Sequence, residues 1–207
     1  MSKAIKLATV LAAAALSLSA CVVVDRSGSD GDTGSNSSSS ASKHNDADVT
    51  FAQDMIPHHA QAIVMSTMAK NQAQDPELRQ LAADIQAAQR PEIEQMSGWL
   101  KAWGEDVPRG MGGDDHDMGD MGDMGMMGDG DMPGMMTGRQ MMDLDKASGS
   151  RFDRMWLQMM IEHHEGAIEM AKVEQRSGLS TEAIELAKTI QSTQAEEITT
   201  MKSMLRP

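Results

Sequence analysis

The sequence predicts an all-α protein, a four-helix bundle made of two duplicated helical hairpins joined by a long loop rich in Met, Gly and Asp. Two observations carry this expectation. The stretch Met55-Ile56-Pro57-His58-His59-Ala60-Gln61-Ala62-Ile63-Val64-Met65 occurs again as Met160-Ile161-Glu162-His163-His164-Glu165-Gly166-Ala167-Ile168-Glu169-Met170. Around both copies the apolar residues recur at helical spacing. A hairpin with one apolar face cannot bury that face alone, and two copies bury theirs most simply against each other.

The first helix is predicted from about Asp48. Phe51, Met55, His58, Ala62, Met65 and Ala69 follow alternating steps of four and three, and Ala52, Ile56, His59 and Ile63 form a second stripe beside them. The resulting wide face contains both histidines. Pro57 removes a helical hydrogen bond, so the sequence predicts a kink or a late start near the histidine pair. Asp75-Pro76-Glu77 then reads as a helix start, with an acidic cap, proline in the first turn and a second acid at the positive end of the dipole. Leu78, Leu81, Ala82, Ile85, Ile93, Met96, Leu100 and Trp103 carry this helix to a stop at Gly104.

The second hairpin repeats the first without a gap. At the offset that takes Met55 to Met160, Asp75 becomes Ser180, Leu81 Leu186, Ile85 Ile190, Gln89 Gln194, Glu92 Glu197, Met96 Met201 and Leu100 Leu205. Gly178-Leu179-Ser180 supplies its turn and cap. Glu92 and Glu197, with Gln89 and Gln194, fall near the inner edges of their helices, either as partners of the histidines or as solvated edge residues.

The flanking segments are of another kind. Residues 1–21 have Lys3 and Lys6, the apolar run Leu7 to Leu18 and small residues before Cys21, the order of a secretory signal. The run is too short to span a bilayer permanently. Leu18-Ser19-Ala20-Cys21 resembles the bacterial lipobox, which implies a lipid on Cys21, membrane anchoring and an extracytoplasmic location. Residues 22–47 are rich in Ser, Gly, Asp and Asn and read as a flexible tether. The bundle domain is expected over 48–207, as hairpin 48–104, loop 105–147 and hairpin 148–207. In the loop, Gly-Asp-Met units recur at a spacing of three, which matches neither helix nor strand.

Composition narrows the chemistry. A net charge of −13 in 207 residues argues against nucleic acid as a partner. The single cysteine excludes a disulfide framework. Methionine accounts for 22 residues although aromatics are only 2%, and this excess needs an explanation. Thioethers are soft neutral ligands suited to Cu(I) or Ag(I), and imidazole suits copper in both oxidation states as well as zinc and nickel. Copper ions, with Cu(I) favoured, are therefore the first candidate ligand and silver the second. On a helix Met55 can share a face with His58 and His59, and Met160 with His163 and His164. Met65 and Met170 complete the candidate ligand set. His116, Met118, Met121, Met124, Met126, Met127, Met132, Met135 and Met136 form a candidate accessory capture loop. Whether the two copies converge on one site or form two stays open at this level.

The motif Met-Ile-Pro-His-His followed by Ala-Ile-x-Met, with a downstream helix carrying Leu-Ala, Ile, Gln and Glu-Ile-x-x-Met, resembles the bacterial secreted family known as domain of unknown function 305. The resemblance covers about 48–104 and 150–205. It implies a ferritin-like four-helix bundle and, since the family includes a copper-binding resistance protein, extracytoplasmic copper binding through Met55, His58, His59, Met65, Met160, His163, His164 and Met170. The second copy departs from the motif at Glu162, which stands where the motif has proline.

The leading expectation is a lipid-anchored copper-binding protein for sequestration, buffering or resistance, with a copper-delivery or acceptor protein as a further partner. The alternatives are a ferritin-like oxidase acting on Cu(I) and an envelope bundle that needs no metal. Neither histidine pair has a Glu three residues before it, nor is there a His-Glu-x-x-His, so the sequence leans away from an enzyme.

Overall fold

Four of the five described helices start at a side chain that accepts free N–H groups of the first turn. The computed structural model describes residues 43–108 and 132–206. The signal sequence with Cys21, residues 22–42 of the tether, and His116, Met118, Met121, Met124, Met126 and Met127 lie outside the described residues. Helix α1 (Asp46–Gln72) begins at Asn45, whose side chain accepts from the nitrogens of Ala47 and Asp48 while Asp48 returns a bond to the Asn45 nitrogen. Helix α2 (Pro76–Trp103) begins at Asp75, which accepts from the Glu77 nitrogen, and stops at Gly104 with φ +81°. Helices α4 (Gly149–Ser177) and α5 (Thr181–Met204) form the second hairpin, with Ser180 capping α5 through the Ala183 nitrogen.

Two expectations from the sequence are corrected. Helix α1 does not start late at the histidines: it begins at Asp46 and runs through Pro57 without interruption. Proline removes only one donor, and the capped turns before it together with the buried face after it hold the helix on both sides. The stretch 105–147 is not loop to its end, because Gly138–Asp145 forms a short helix, α3. Its Thr137 and Gln140 make a capping box and Leu144 anchors it in the core. The methionine-rich composition around this box hid it.

Helix α1 packs on α2, α4 packs on α5, and α1 crosses α4. The crossing is antiparallel. Phe51, Ala52, Met55 and Ile56 of α1 share one apolar cluster with Ala167 and Ala171 of α4, while Ala62, Met65 and Ala69 share the other with Phe152, Trp156 and Met160. The Trp156 indole N–H donates to the Met65 carbonyl at 2.8 Å and fixes the register. The histidine pairs fall between the two clusters on both helices.

The ends of the crossing are tied reciprocally. Asp48 at the start of α1 accepts from the nitrogens of Leu179 (3.1 Å) and Ser180 (2.9 Å) in the second hairpin's turn. Asp153, its counterpart in the repeat, accepts from the nitrogens of Gln74 (2.9 Å) and Asp75 (3.0 Å) in the first. Each turn is thus closed by a carboxylate from the other hairpin. The tie around Asp48 is the more buried, and there it also meets Glu174, whose repeat counterpart is Ala69. A Cβ on Gly178 would collide with the Glu174 carboxyl, so the turn leaves room for it by having glycine there.

Burial first, and then the neighbouring Asp48 carboxylate, raise the Glu174 carboxyl to about 8. Burial alone would raise Asp48 too, but its surroundings, among them hydrogen bonds from the nitrogens of Asn45, Ser180 and Leu179, outweigh it and hold Asp48 below its ordinary value. Glu174 is therefore the carboxyl that holds a proton at neutral pH. A carboxyl raised on folding contributes stability that is lost as pH rises toward its folded value. Urea unfolding should accordingly show a midpoint that falls between pH 6.5 and about 8 in the unaltered protein. In Glu174→Gln the fall should vanish, and an equal slope in both proteins would remove Glu174 as its source.

Candidate metal centre

Helical geometry sets adjacent side chains about 100° apart. At the α1–α4 crossing one histidine of each pair therefore turns toward the other helix, and its neighbour turns toward the outer helix of its own hairpin. His58 and His163 meet with ring centroids 3.7 Å apart and planes tilted by 38°. His59 reaches α2, where Glu92 Oε2 lies 2.7 Å from its Nε2, and His164 reaches Glu197 Oε2 on α5 at the same distance. All four rings are fully buried. The structure thus brings the histidine pairs of both copies of the motif into one layer.

The hydrogen bonds assign the ring protons. A carboxylate or carbonyl oxygen accepts, so His59 and His164 donate from Nε2 to their glutamates, and His58 donates from Nε2 to the Pro133 carbonyl at 3.1 Å. Each of these rings keeps Nδ1 without a hydrogen-bond partner, and His163 has neither nitrogen paired. Burial first, and then repulsion from neighbouring histidines, lowers His58 to about 3 and pushes His163 well down. The two facing rings are therefore neutral, the form in which imidazole binds a metal.

Beyond the glutamates lies a cavity of about 10 Å³ between α2 and α5, lined by Gln89, Glu92, Gln194 and Glu197 among others. The Gln89 amide and the Gln194 carbonyl oxygen are buried without partners there. The layer is thus polar on its α2–α5 side.

A strap of chain covers the layer where α1 and α4 cross. Residues 132–136 run across both helices. Pro133 meets His58, and the Gln61 side chain donates to the Met136 carbonyl at 2.8 Å and accepts from the Met136 nitrogen at 2.7 Å. Gly134 has φ +75°, and a Cβ there would come within 2.6 Å of the Glu162 carbonyl oxygen and 2.9 Å of the His163 carbonyl oxygen. Only glycine fits this approach.

The methionines divide differently from the expected shared face with the histidines. Met55 lies in the apolar cluster on one side of the layer, with Met170 packed against it, and Met65 and Met160 lie in the cluster on the other side. Met136 is buried with Met65 and Met160, whereas Met132 and Met135 are half-buried in the strap. Among the described residues no group of three or more His, Cys, Asp or Glu side chains forms a ready-made cage. Sequence reasoning missed Gln61, Gly166 and Pro133; the repeat marks the first two as a mismatched pair, and nothing local marked the third.

Residues 48–205 match the model of a domain of unknown function, DUF305. The chain belongs to the DUF305 family. Among solved structures, a DUF305 protein from Streptomyces coelicolor is 34% identical, aligns over 77% of this chain and 91% of its own, and gives a TM-score of 0.64. CopM with Cu(I) bound is 29% identical over 76% of this chain and 94% of its own, with a TM-score of 0.58, and CopM has also been solved with Cu(II) and with silver. An uncharacterised protein of Acanthamoeba polyphaga mimivirus is 43% identical over 53 residues, which take in 26% of this chain; the chain spans only 35% of the length of that curated relative.

The lowered values of His58 and His163 have a direct readout in the metal-free protein. Ring carbon shifts of both histidines should stay flat from pH 8 down to pH 5, while an exposed histidine titrates near its ordinary 6.5. A midpoint between 6 and 7 for either ring would show that the layer is open to water. The sign for stability follows: their contribution is complete above about 6.5 and is lost as pH falls toward the folded values.

Proposed function

We propose that this DUF305 protein is an extracytoplasmic, lipid-anchored copper-binding protein that sequesters or buffers Cu(I), with silver as a second ligand. The observation that carries the reading is the buried histidine layer. Five ring nitrogens in it lack partners, those of His58, His59 and His164 at Nδ1 and both of His163. An unsatisfied buried polar group costs about 1–3 kcal/mol, and a whole domain is stable by only about 5–15 kcal/mol. Packing alone would favour apolar side chains of the same size, so a ligand that uses these lone pairs explains the layer better than packing does.

The glutamates on His59 and His164 support the same reading. A carboxylate that takes one ring proton orients the imidazole and raises the basicity of its other nitrogen. His58, His59, His163 and His164 would hold the ion, with thioethers supplied by Met132, Met135 and the methionine-rich loop before them. Met55, Met65, Met160 and Met170 would line the layer's apolar walls and keep water from the bound ion. CopM, at about 30% identity over 76% of this chain, has been solved with both copper states and silver, which supports the choice of metal. The lipid on Cys21 would place the domain at a membrane surface, and the acidic chain would attract cations there, an effect weakened by salt.

Anaerobic competition for Cu(I) against a chromophoric chelator tests this. The unaltered protein should bind tightly. The variant with His58, His59, His163 and His164 all changed to Ala should stay helical and bind far more weakly. Copper at a hundred times the dissociation constant should stabilise the unaltered fold by about 2.7 kcal/mol. Equal binding by both proteins would take the site out of the histidine layer, and oxygen uptake above a metal-only blank would mark an oxidase instead.

A further inference from the structure

The two hairpins repeat closely, and one of their mismatched pairs faces the strap. Gln61 on α1 corresponds to Gly166 on α4. The strap explains both residues. On the α1 side the Gln61 amide grips Met136 through its nitrogen and its carbonyl, which a glycine could not do. On the α4 side a Cβ at position 166 would collide with the Pro133 carbonyl and come within 2.7 Å of the Gly134 nitrogen, so a side chain there would lift the strap. One strap is gripped by one helix and fitted to the other, and it can lie only one way round.

This breaks the twofold pattern of the histidines. His59 and His164 have matching glutamates. His58 has the Pro133 carbonyl, whereas its counterpart His163 takes no such bond from the strap and makes none of good geometry from either nitrogen. A neutral imidazole without an acceptor exchanges its proton between the two nitrogens, whereas one that donates from Nε2 presents its Nδ1 lone pair continuously. We infer that Gln61 and Gly166 are positioning residues, which seat the strap so that the Pro133 carbonyl holds His58 as a fixed Nδ1 donor and leaves His163 as the ring free to adjust. This rests on the copper reading for its purpose, under which the strap's Met132 and Met135 would be the soft ligands for Cu(I) or Ag(I).

The test uses the full chain, labelled with ¹⁵N and free of metal, and reads imidazole tautomers together with amide exchange at Met136. In the unaltered protein His58, His59 and His164 should all show the Nε2–H form. Gln61→Ala removes two neutral hydrogen bonds, so the Met136 amide should exchange at least about tenfold faster, equivalent to about 1.4 kcal/mol. His58 alone should then move to a tautomer mixture, with helicity and the signals of His59 and His164 unchanged. Gly166→Ala should produce the same change in His58 by lifting the strap from the other side. Gln61→Glu, which can accept from the Met136 nitrogen but not donate to its carbonyl, should fall between. In parallel, Cu(I) affinity should drop in Gln61→Ala.

A His58 that keeps its Nε2 proton after Met136 has opened would overturn the inference, as would an unchanged Cu(I) affinity once the tautomer has shifted. A tautomer shift in a protein whose unaltered form takes up no Cu(I) would sink the copper reading and leave the positioning role standing.

Discussion

The antiparallel crossing of α1 and α4 forces two His-His pairs into a single buried layer, and the chemistry of the protein depends on that burial. Away from water an imidazolium is costly, so the facing rings of His58 and His163 stay neutral. A neutral ring has one proton to place and one lone pair to offer. Where a glutamate or a backbone carbonyl takes the proton, the lone pair is left for something else. The same rings near water would hydrogen-bond to solvent and titrate freely.

Reciprocal ties hold the crossing in register. Because Asp48 and Asp153 each close the turn of the opposite hairpin, neither hairpin completes its own turn. A slip of one helix along the other would break both ties, the Trp156 bond to the Met65 carbonyl, and the meeting of His58 with His163 together. Glu174 tightens one end and not the other, since its counterpart is Ala69. Its proton makes the stability of that end fall as pH rises toward about 8, whereas the histidine layer loses stability as pH falls below about 6.5.

Much of this was legible in the sequence because duplication is a long-range signal that needs no structure. It set the two hairpins, their caps at Asp75 and Ser180, and the histidine pairs as the features to explain. The convergence of the pairs was not legible, since it depends on which faces of α1 and α4 meet. Helix α3 was missed because Thr137-x-x-Gln140 sits in a methionine-rich stretch with little apolar periodicity. Pro57 misled because a single lost hydrogen bond is a small deficit in a helix that is capped upstream and buried downstream. Asp48 looked like the helix start and lies in the first turn of α1 behind its cap Asn45, but it also accepts from the other hairpin's turn, which no local pattern reveals.

The placement of the methionines separates two roles that composition alone merges. A thioether packs in an apolar layer at little cost, so Met55, Met65 and Met160 serve the core whether or not a metal is present. Met132 and Met135 are half-buried and belong to a strap that hydrogen bonds and two glycines hold against α1 and α4. A soft ion held at the layer would therefore draw its sulfur ligands from the strap and its nitrogen ligands from the helices. On the proposed reading such a division would make the strap part of the site, with the mismatch of Gln61 and Gly166 holding it there. It also predicts that a perfectly symmetric version of the bundle would lose the closure while keeping the fold: restoring Gln at position 166 should lift the strap and weaken Cu(I) binding, with the helical content measured by circular dichroism unchanged.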